Sequence, residues 1–264
     1  MGWTSLNPKV TDWRGRSVWL VGASSGIGHA CAQALMAAGA RVAVSARQTA
    51  LLEQLCAGHD ALPVTCDVTD PESVRRAAEQ VRAHQGLDWV VYCAGHYKPI
   101  RPLRDFDLPE LMRHQAVNYH GALHLIDAVL PHLAQQGHGH ISMVASVAGY
   151  RGLPMSLAYG PTKAAMQHLA EILYMELKPA GIGVSVVNPG FVATPLTAQN
   201  RFHMPALIQP EEAAHAMLQG WQQGEFEIHF PKRFSRFLKC LRWLPNRLYF
   251  SWVWRATQGQ LKQP

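Results

Sequence analysis

At 264 residues, with 48% apolar and 16% charged side chains, the chain has the make-up of one folded domain with a sizeable core, and disorder is excluded. Five scattered cysteines (Cys31, Cys56, Cys66, Cys93, Cys240) with no C-x-x-C pair argue against a disulfide framework or a zinc site and for a reducing, cytoplasmic setting. Neither a secretory start nor an apolar run of membrane-spanning length is present, Leu6 breaks the myristoylation pattern, and the fourteen histidines show no metal-ligand spacing, so no metal is expected.

In chain order, strands are expected near 17–21, 41–45, 61–66, 88–93, 139–144 and 182–187. Helices are expected near 27–38, 48–57, 71–85, 109–135, 157–178 and 210–222. Strands that alternate with helices make a parallel sheet covered on both faces, a doubly wound three-layer α/β/α fold of Rossmann type in a single domain. Crossovers should be right-handed, and a ligand should sit beyond the carboxyl ends of the strands. The expected division is 1–228 as the α/β unit and 229–264 as a basic, aromatic segment belonging to it or reaching a membrane or partner.

The first strand runs into Gly22-Ala23-Ser24-Ser25-Gly26-Ile27-Gly28, and an Ala-rich helix follows. Strand, glycine turn and helix suit a pyrophosphate, because the backbone turns tightly and the helix start offers free N–H groups and a positive dipole end. The spacing is G-x-x-x-G-x-G, not the general G-x-G-x-x-G. The second strand ends at Ala46-Arg47, where an acid would bind the 2′-hydroxyl of NAD. With Arg47 there instead, a 2′-phosphate and hence NADP(H) over NAD(H) is favoured.

Farther along, Tyr159-Gly160-Pro161-Thr162-Lys163 puts a phenol and an ammonium one helical turn apart on one face. An adjacent cation favours the phenolate and should lower the tyrosine pKa, giving the proton exchange that carbonyl–alcohol interconversion needs. A Y-x-x-x-K pair alone is weak evidence, since helix surfaces carry such pairs by chance.

Taken together, these motifs resemble the short-chain dehydrogenase/reductase family, over about residues 14 to 230. Gly22, Ser24, Ser25, Gly26, Ile27 and Gly28 match its cofactor loop, Asp67-Val68 the acid that holds the adenine, and Ala94-Gly95 the end of its strand-four motif. Asn118 matches the active-site asparagine, and Ser146, thirteen residues before Tyr159, the catalytic serine. Pro189-Gly190, with Val192 and Thr194, matches the segment at the nicotinamide amide. The resemblance implies NADP(H)-dependent oxidoreduction of a ketone or secondary alcohol. Ser146 and Tyr159 would meet the oxyanion, Tyr159 would give the proton, Lys163 would bind the ribose, and Asn118 would hold a water linking Lys163 to solvent. Two departures stand out: Val21 replaces the usual threonine, and Tyr92-Cys93 the usual two asparagines, groups that brace loops at the strand ends. The resemblance also implies a homodimer or homotetramer built on the helices near 109–135 and 157–178. His96, Tyr97, Arg151, Leu153, Leu196 and Phe202 are candidates for the substrate pocket by position.

From Ile228 to Pro264 there are eight basic residues and no acids, so the net charge of +6 resides in this segment. Phe230, Phe234, Phe237, Trp243, Tyr249, Phe250, Trp252 and Trp254 are interleaved with them. One reading is contact with an anionic membrane surface, placing the protein at the inner face of a membrane and favouring an apolar, lipid-like substrate. The other is aromatic packing on the core or a partner subunit with the charges in water. Nucleic acid fits poorly, for want of a recognition motif. An alternative for the whole chain is a cofactor-binding protein of regulatory or membrane-scaffolding role with little turnover. The joint presence of Asn118, Ser146, Tyr159 and Lys163 argues against it.

Overall fold

Short apolar strands and amphipathic helices alternate along the chain in this computed structural model, which describes residues 5–200 and 204–261, with side chains through Thr257. The strands are β1 (Ser17–Val21), β2 (Arg41–Ala46), β3 (Ala61–Thr65), β4 (Trp89–Tyr92), β5 (Gly139–Val144), β6 (Ile182–Pro189) and β7 (Glu227–Phe230). They form one sheet in the order β3-β2-β1-β4-β5-β6-β7, every pair parallel. The helices are α1 (Gly26–Ala37), α2 (Thr49–Cys56), α3 (Pro71–Gln85), α4 (Leu108–Gln115), α5 (Gly121–Gln136), α6 (Tyr159–Leu177), α7 (Pro210–Gln223), α8 (Lys232–Arg242) and α9 (Asn246–Leu261). This is the doubly wound, single-domain α/β architecture expected.

Burial on both faces explains why the strands read as continuous apolar runs: Val18–Val21 and Trp89–Tyr92 are wholly inside. One core layer packs α1 and α7 on the sheet, and another packs α3, α5 and α6 on the opposite face. Helix starts follow their local chemistry. Asp70 caps α3 by accepting from the Glu72 N–H, with Pro71 in the first turn, and Asp107 caps α4 through the Glu110 N–H.

Two differences from the sequence reading matter for the site. The helix expected over 109–135 is two helices joined by a π-helical turn, Ala116–His120. The turn leads into Gly121, where a Cβ would lie 3.0 Å from Val68 Cβ and collide with the Tyr92 phenol. That phenol donates to the Val117 carbonyl inside the widened turn. Tyr92 thus braces this junction. Second, the basic segment begins inside the sheet. Its first residues complete β7, paired with β6 from Val186↔Glu227 to Pro189↔Phe230, so the 228/229 division falls inside a strand. α8 and α9 then form a helical hairpin.

Candidate active site

The strand order turns back on itself between β1 and β4, and loops there leave a crevice at the carboxyl ends of the strands. A cleft of about 470 Å³ fills it.

One end of the cleft is made largely of backbone. Gly22 has φ +97°, and a Cβ there would lie 2.6 Å from the Ala94 Cα, so only glycine lets the two loops meet. A Cβ on Gly28 would strike the Gly22 carbonyl, and one on Gly26 would lie 2.9 Å from Thr194 Cγ2. α1 begins with no side-chain cap and no acid in its first turn, so its amino end faces the cleft with free N–H groups. Glycine cradle and uncapped helix start together fit a pyrophosphate. Gly22, Ser24, Ser25, Gly26, Ile27 and Gly28 all line the cleft, as do Ala94 and Gly95 and the Pro189, Gly190, Val192 and Thr194 segment. Arg47, exposed, sits at the same end with Asp67 and Val68. Burial pushes the Asp67 carboxyl up, but the Thr69 N–H and hydroxyl and the Arg47 charge outweigh it and hold the group below its ordinary pKa.

Ser146, Tyr159 and Lys163 meet in the middle of the cleft. Ser146 follows β5 and caps the turn Val147–Gly149; its Oγ accepts from the Ala148 N–H at 3.1 Å and reaches the Pro189 carbonyl at 3.4 Å. Tyr159 opens α6, and Lys163 lies one turn on, its ammonium 5.5 Å from the phenol ring centroid. The expected effect of that ammonium is corrected here. Burial pushes the Tyr159 pKa above its ordinary value, opposed by hydrogen bonding to Ser146, and Lys163 is not among the groups that lower it. The ammonium donates instead to the Val144 carbonyl at 2.8 Å. Burial lowers Lys163 itself to about 8.

Asn118 lies behind the cleft wall, fully buried in the π-helical turn. Its Oδ1 accepts from the His96 N–H at 2.7 Å, and its Nδ2 donates to the His96 carbonyl and to Thr162 Oγ1, both at 3.0 Å. Thr162 donates onward to the Tyr159 carbonyl. Asn118 therefore ties the loop after β4 to the first turn of α6.

At the other end, His96, Tyr97, Leu153 and Leu196 line the cleft. Tyr97 stacks edge-on against Tyr159 with centroids 5.1 Å apart, donates to Asn200 Oδ1 at 2.8 Å, and is pushed up to about 12 by burial. Arg151 is corrected: it turns away, donating to the Leu241 and Leu244 carbonyls and stacking on Tyr249 at 3.8 Å. Phe202 lies outside the described residues. Phe234, Leu238 and Thr257 of the hairpin line the cleft and were missed. The apolar positions 234, 238 and 241, spaced for one helix face, were the available signal.

Sequence spacing also concealed a cluster of His96, Glu110 and His114, whose ligand atoms lie within 4.8 Å of one another, a grouping found among the described residues. His114 Nδ1 faces the Glu110 carbonyl at 2.8 Å and Nε2 accepts from the Lys98 N–H at 3.0 Å. With both nitrogens held by backbone, His114 serves the loop rather than a cation.

Comparison with known proteins agrees with this geometry. A family model described as short chain dehydrogenase matches residues 16–204. An uncharacterized oxidoreductase of Myxococcus xanthus is 34% identical over 250 residues, covering 89% of this chain and 94% of its own. A short-chain dehydrogenase from Streptomyces avermitilis superposes with a TM-score of 0.77 at 26% identity, over 93% of this chain and 99% of its own. A 3-ketoacyl-(acyl-carrier-protein) reductase from Brucella melitensis, complexed with NADH, superposes with a TM-score of 0.77 at 25% identity, over 83% and 98%.

Proposed function

The chain belongs to the short chain dehydrogenase family, oxidoreductases of CH–OH and carbonyl groups with NAD(P), and within that class we propose an NADP(H)-dependent enzyme that interconverts a ketone and a secondary alcohol. The observation that carries the proposal is the meeting of Ser146, Tyr159 and Lys163 between a glycine cradle and an apolar chamber.

The cradle and the start of α1 would hold the pyrophosphate, Asp67 the adenine, and Arg47 the 2′-phosphate. Support for NADP is the absence of an acid after β2 and the presence of Arg47 on the cleft rim. When bound, the nicotinamide supplies or accepts the hydride at the carbinol carbon.

This chain's residues handle the oxygen. In reduction the carbonyl oxygen gains negative charge, and the Ser146 and Tyr159 hydroxyls are placed beforehand to meet it. Burial keeps the Tyr159 phenol protonated, so its proton is at hand for the forming alkoxide. Lys163, lowered to about 8, carries a proton that exchanges near neutral pH and can restore charge balance beside the phenolate. Asn118 is a positioning residue, fixing the Tyr159 turn through Thr162.

Tyr159→Phe should reduce NADPH-dependent ketone reduction on the order of 10³-fold while NADPH still binds by fluorescence titration. Turnover retained in that variant removes Tyr159 from the reaction. We also propose a homodimer or homotetramer, supported by exposed Leu123 on α5 and Ile172 and Met175 on α6; sedimentation equilibrium, which should give a multiple of the chain mass, checks it.

A further inference from the structure

The hairpin of α8 and α9 has two faces of opposite character. Its inner face holds Leu241, Tyr249 and Val253 in a small core of their own. Tyr249 Oη donates to the Gly152 carbonyl at 2.7 Å, and Arg151 grips the carbonyls at the end of α8, so the hairpin is fastened to the body. Phe234 and Leu238 of α8 and Thr257 of α9 form part of the cleft wall.

The outer face is unpartnered and of one kind. Trp243 is 86% exposed, and Phe237, Phe250, Trp252 and Trp254 are also exposed. Between them stand Arg233, Arg236, Arg247 and Arg255, exposed and without a salt bridge among the described residues. The lysines of α8 are already paired, Lys232 with Glu225 and Lys239 with Glu227. No acid follows Glu227 in the sequence.

We propose that this face is a docking surface for an anionic lipid bilayer, lying on the membrane with the rings in the headgroup layer and the arginines on the phosphates. Amphipathic rings beside guanidinium groups match an interface that is apolar below and anionic above. No described helix is long and apolar enough to cross a membrane, so the contact is monotopic. A second copy of the chain is a poorer occupant. A two-fold contact would set this acid-free arginine face against itself, and like charges would oppose each other.

The same hairpin walls the cleft, so docking sets the substrate end beside the bilayer. The preferred substrate is then an apolar ketone or alcohol dissolved in lipid. This clause rests on the proposed reductase activity; the docking does not.

The test uses the full chain with vesicles of phosphatidylcholine containing phosphatidylserine and with vesicles of phosphatidylcholine alone. The chain should co-sediment with the first, and added salt should release it. Arg236→Gln/Arg247→Gln/Arg255→Gln should weaken the partition roughly a hundredfold, at roughly fivefold per arginine. Trp243→Ser/Trp254→Ser should weaken it on both vesicle types. Unchanged thermal midpoints would show that these exposed substitutions leave the fold intact. Tyr159→Phe should bind vesicles as the parent does, which separates docking from chemistry. A chain that stays in the supernatant with anionic vesicles overturns the docking. So does an arginine variant that changes only the mass in sedimentation equilibrium, which would give the face to a second copy, or only binding to an RNA oligonucleotide. For the substrate clause, the arginine variant should lose kcat/KM for a long-chain ketone in vesicles and keep it for a short soluble ketone. Equal loss on both overturns the clause.

Discussion

The two ends of the cleft are built from different materials. At the end proposed for the dinucleotide, the wall is backbone geometry: Gly22, Gly26 and Gly28 bring main chains together where no side chain fits. At the substrate end, Tyr97, Leu153, Leu196, Phe234 and Leu238 make the wall from side chains carried on loops and the hairpin. A backbone-built site has little freedom to vary, because one added carbon collides with main chain that cannot move alone. A side-chain wall can be exchanged one residue at a time while the fold stands. The first kind of site is therefore general to a chemistry, and the second sets what the chemistry is done to.

The contrast predicts unequal responses to substitution. Gly22→Ala should be the most damaging, since it forces a Cβ into the Ala94 backbone at an unfavourable φ. A loss of roughly 3 kcal/mol or more, with a midpoint about 10 °C lower by calorimetry, is expected. A midpoint within a degree or two of the parent would break the contrast. Arg47→Leu should weaken NADPH binding on the order of tenfold or more, leave NADH binding nearly unchanged, and spare stability. Paired fluorescence titrations decide it, and equal losses for the two cofactors would place Arg47 outside cofactor choice.

Lys163→Met should abolish turnover yet stabilise the fold near neutral pH. Burial holds Lys163 at about 8 against 10.5 for a free lysine, a penalty of roughly 3 kcal/mol. That penalty is complete below pH 8 and fades as pH rises to 10.5, because the folded chain releases the proton first. Losing the donor to the Val144 carbonyl offsets part of the gain. A net gain of about 1–2 kcal/mol at pH 7, shrinking by pH 10, should appear in urea titrations; a uniform loss at both pH values would contradict it. Leu238→Ala is the mildest change. It should raise KM for an apolar ketone about fivefold, with kcat and NADPH affinity kept, as expected of a partly buried wall residue.

How much of this was legible in the sequence follows the same division. The alternating pattern located six strands, and the motif residues do converge on one edge of the sheet, because glycine turns and strand ends are local signals. The split of the 109–135 helix was not legible. The split coincides with a long-range contact, the Tyr92 phenol donating to the Val117 carbonyl, far apart in sequence. The spacing of Tyr159 and Lys163 gave their shared face but not the ammonium's partner, since Val144 lies on another element. In the basic segment, composition showed the charge and the rings but not that the same helices face inward and outward at once. Those rings divide only when α8 and α9 fold against Arg151 and Gly152.

One such long-range contact also constrains how this chain can change. The phenol at position 92 occupies the space that any side chain at 121 would need. Asparagine at 92 would leave a hole beside the bare backbone at 121, and alanine at 121 would be tolerated only after the hydroxyl had been removed and Val68 had shifted. The two positions therefore form an ordered lock: substitution must begin at the strand, and a library that randomises the helix alone will return glycine.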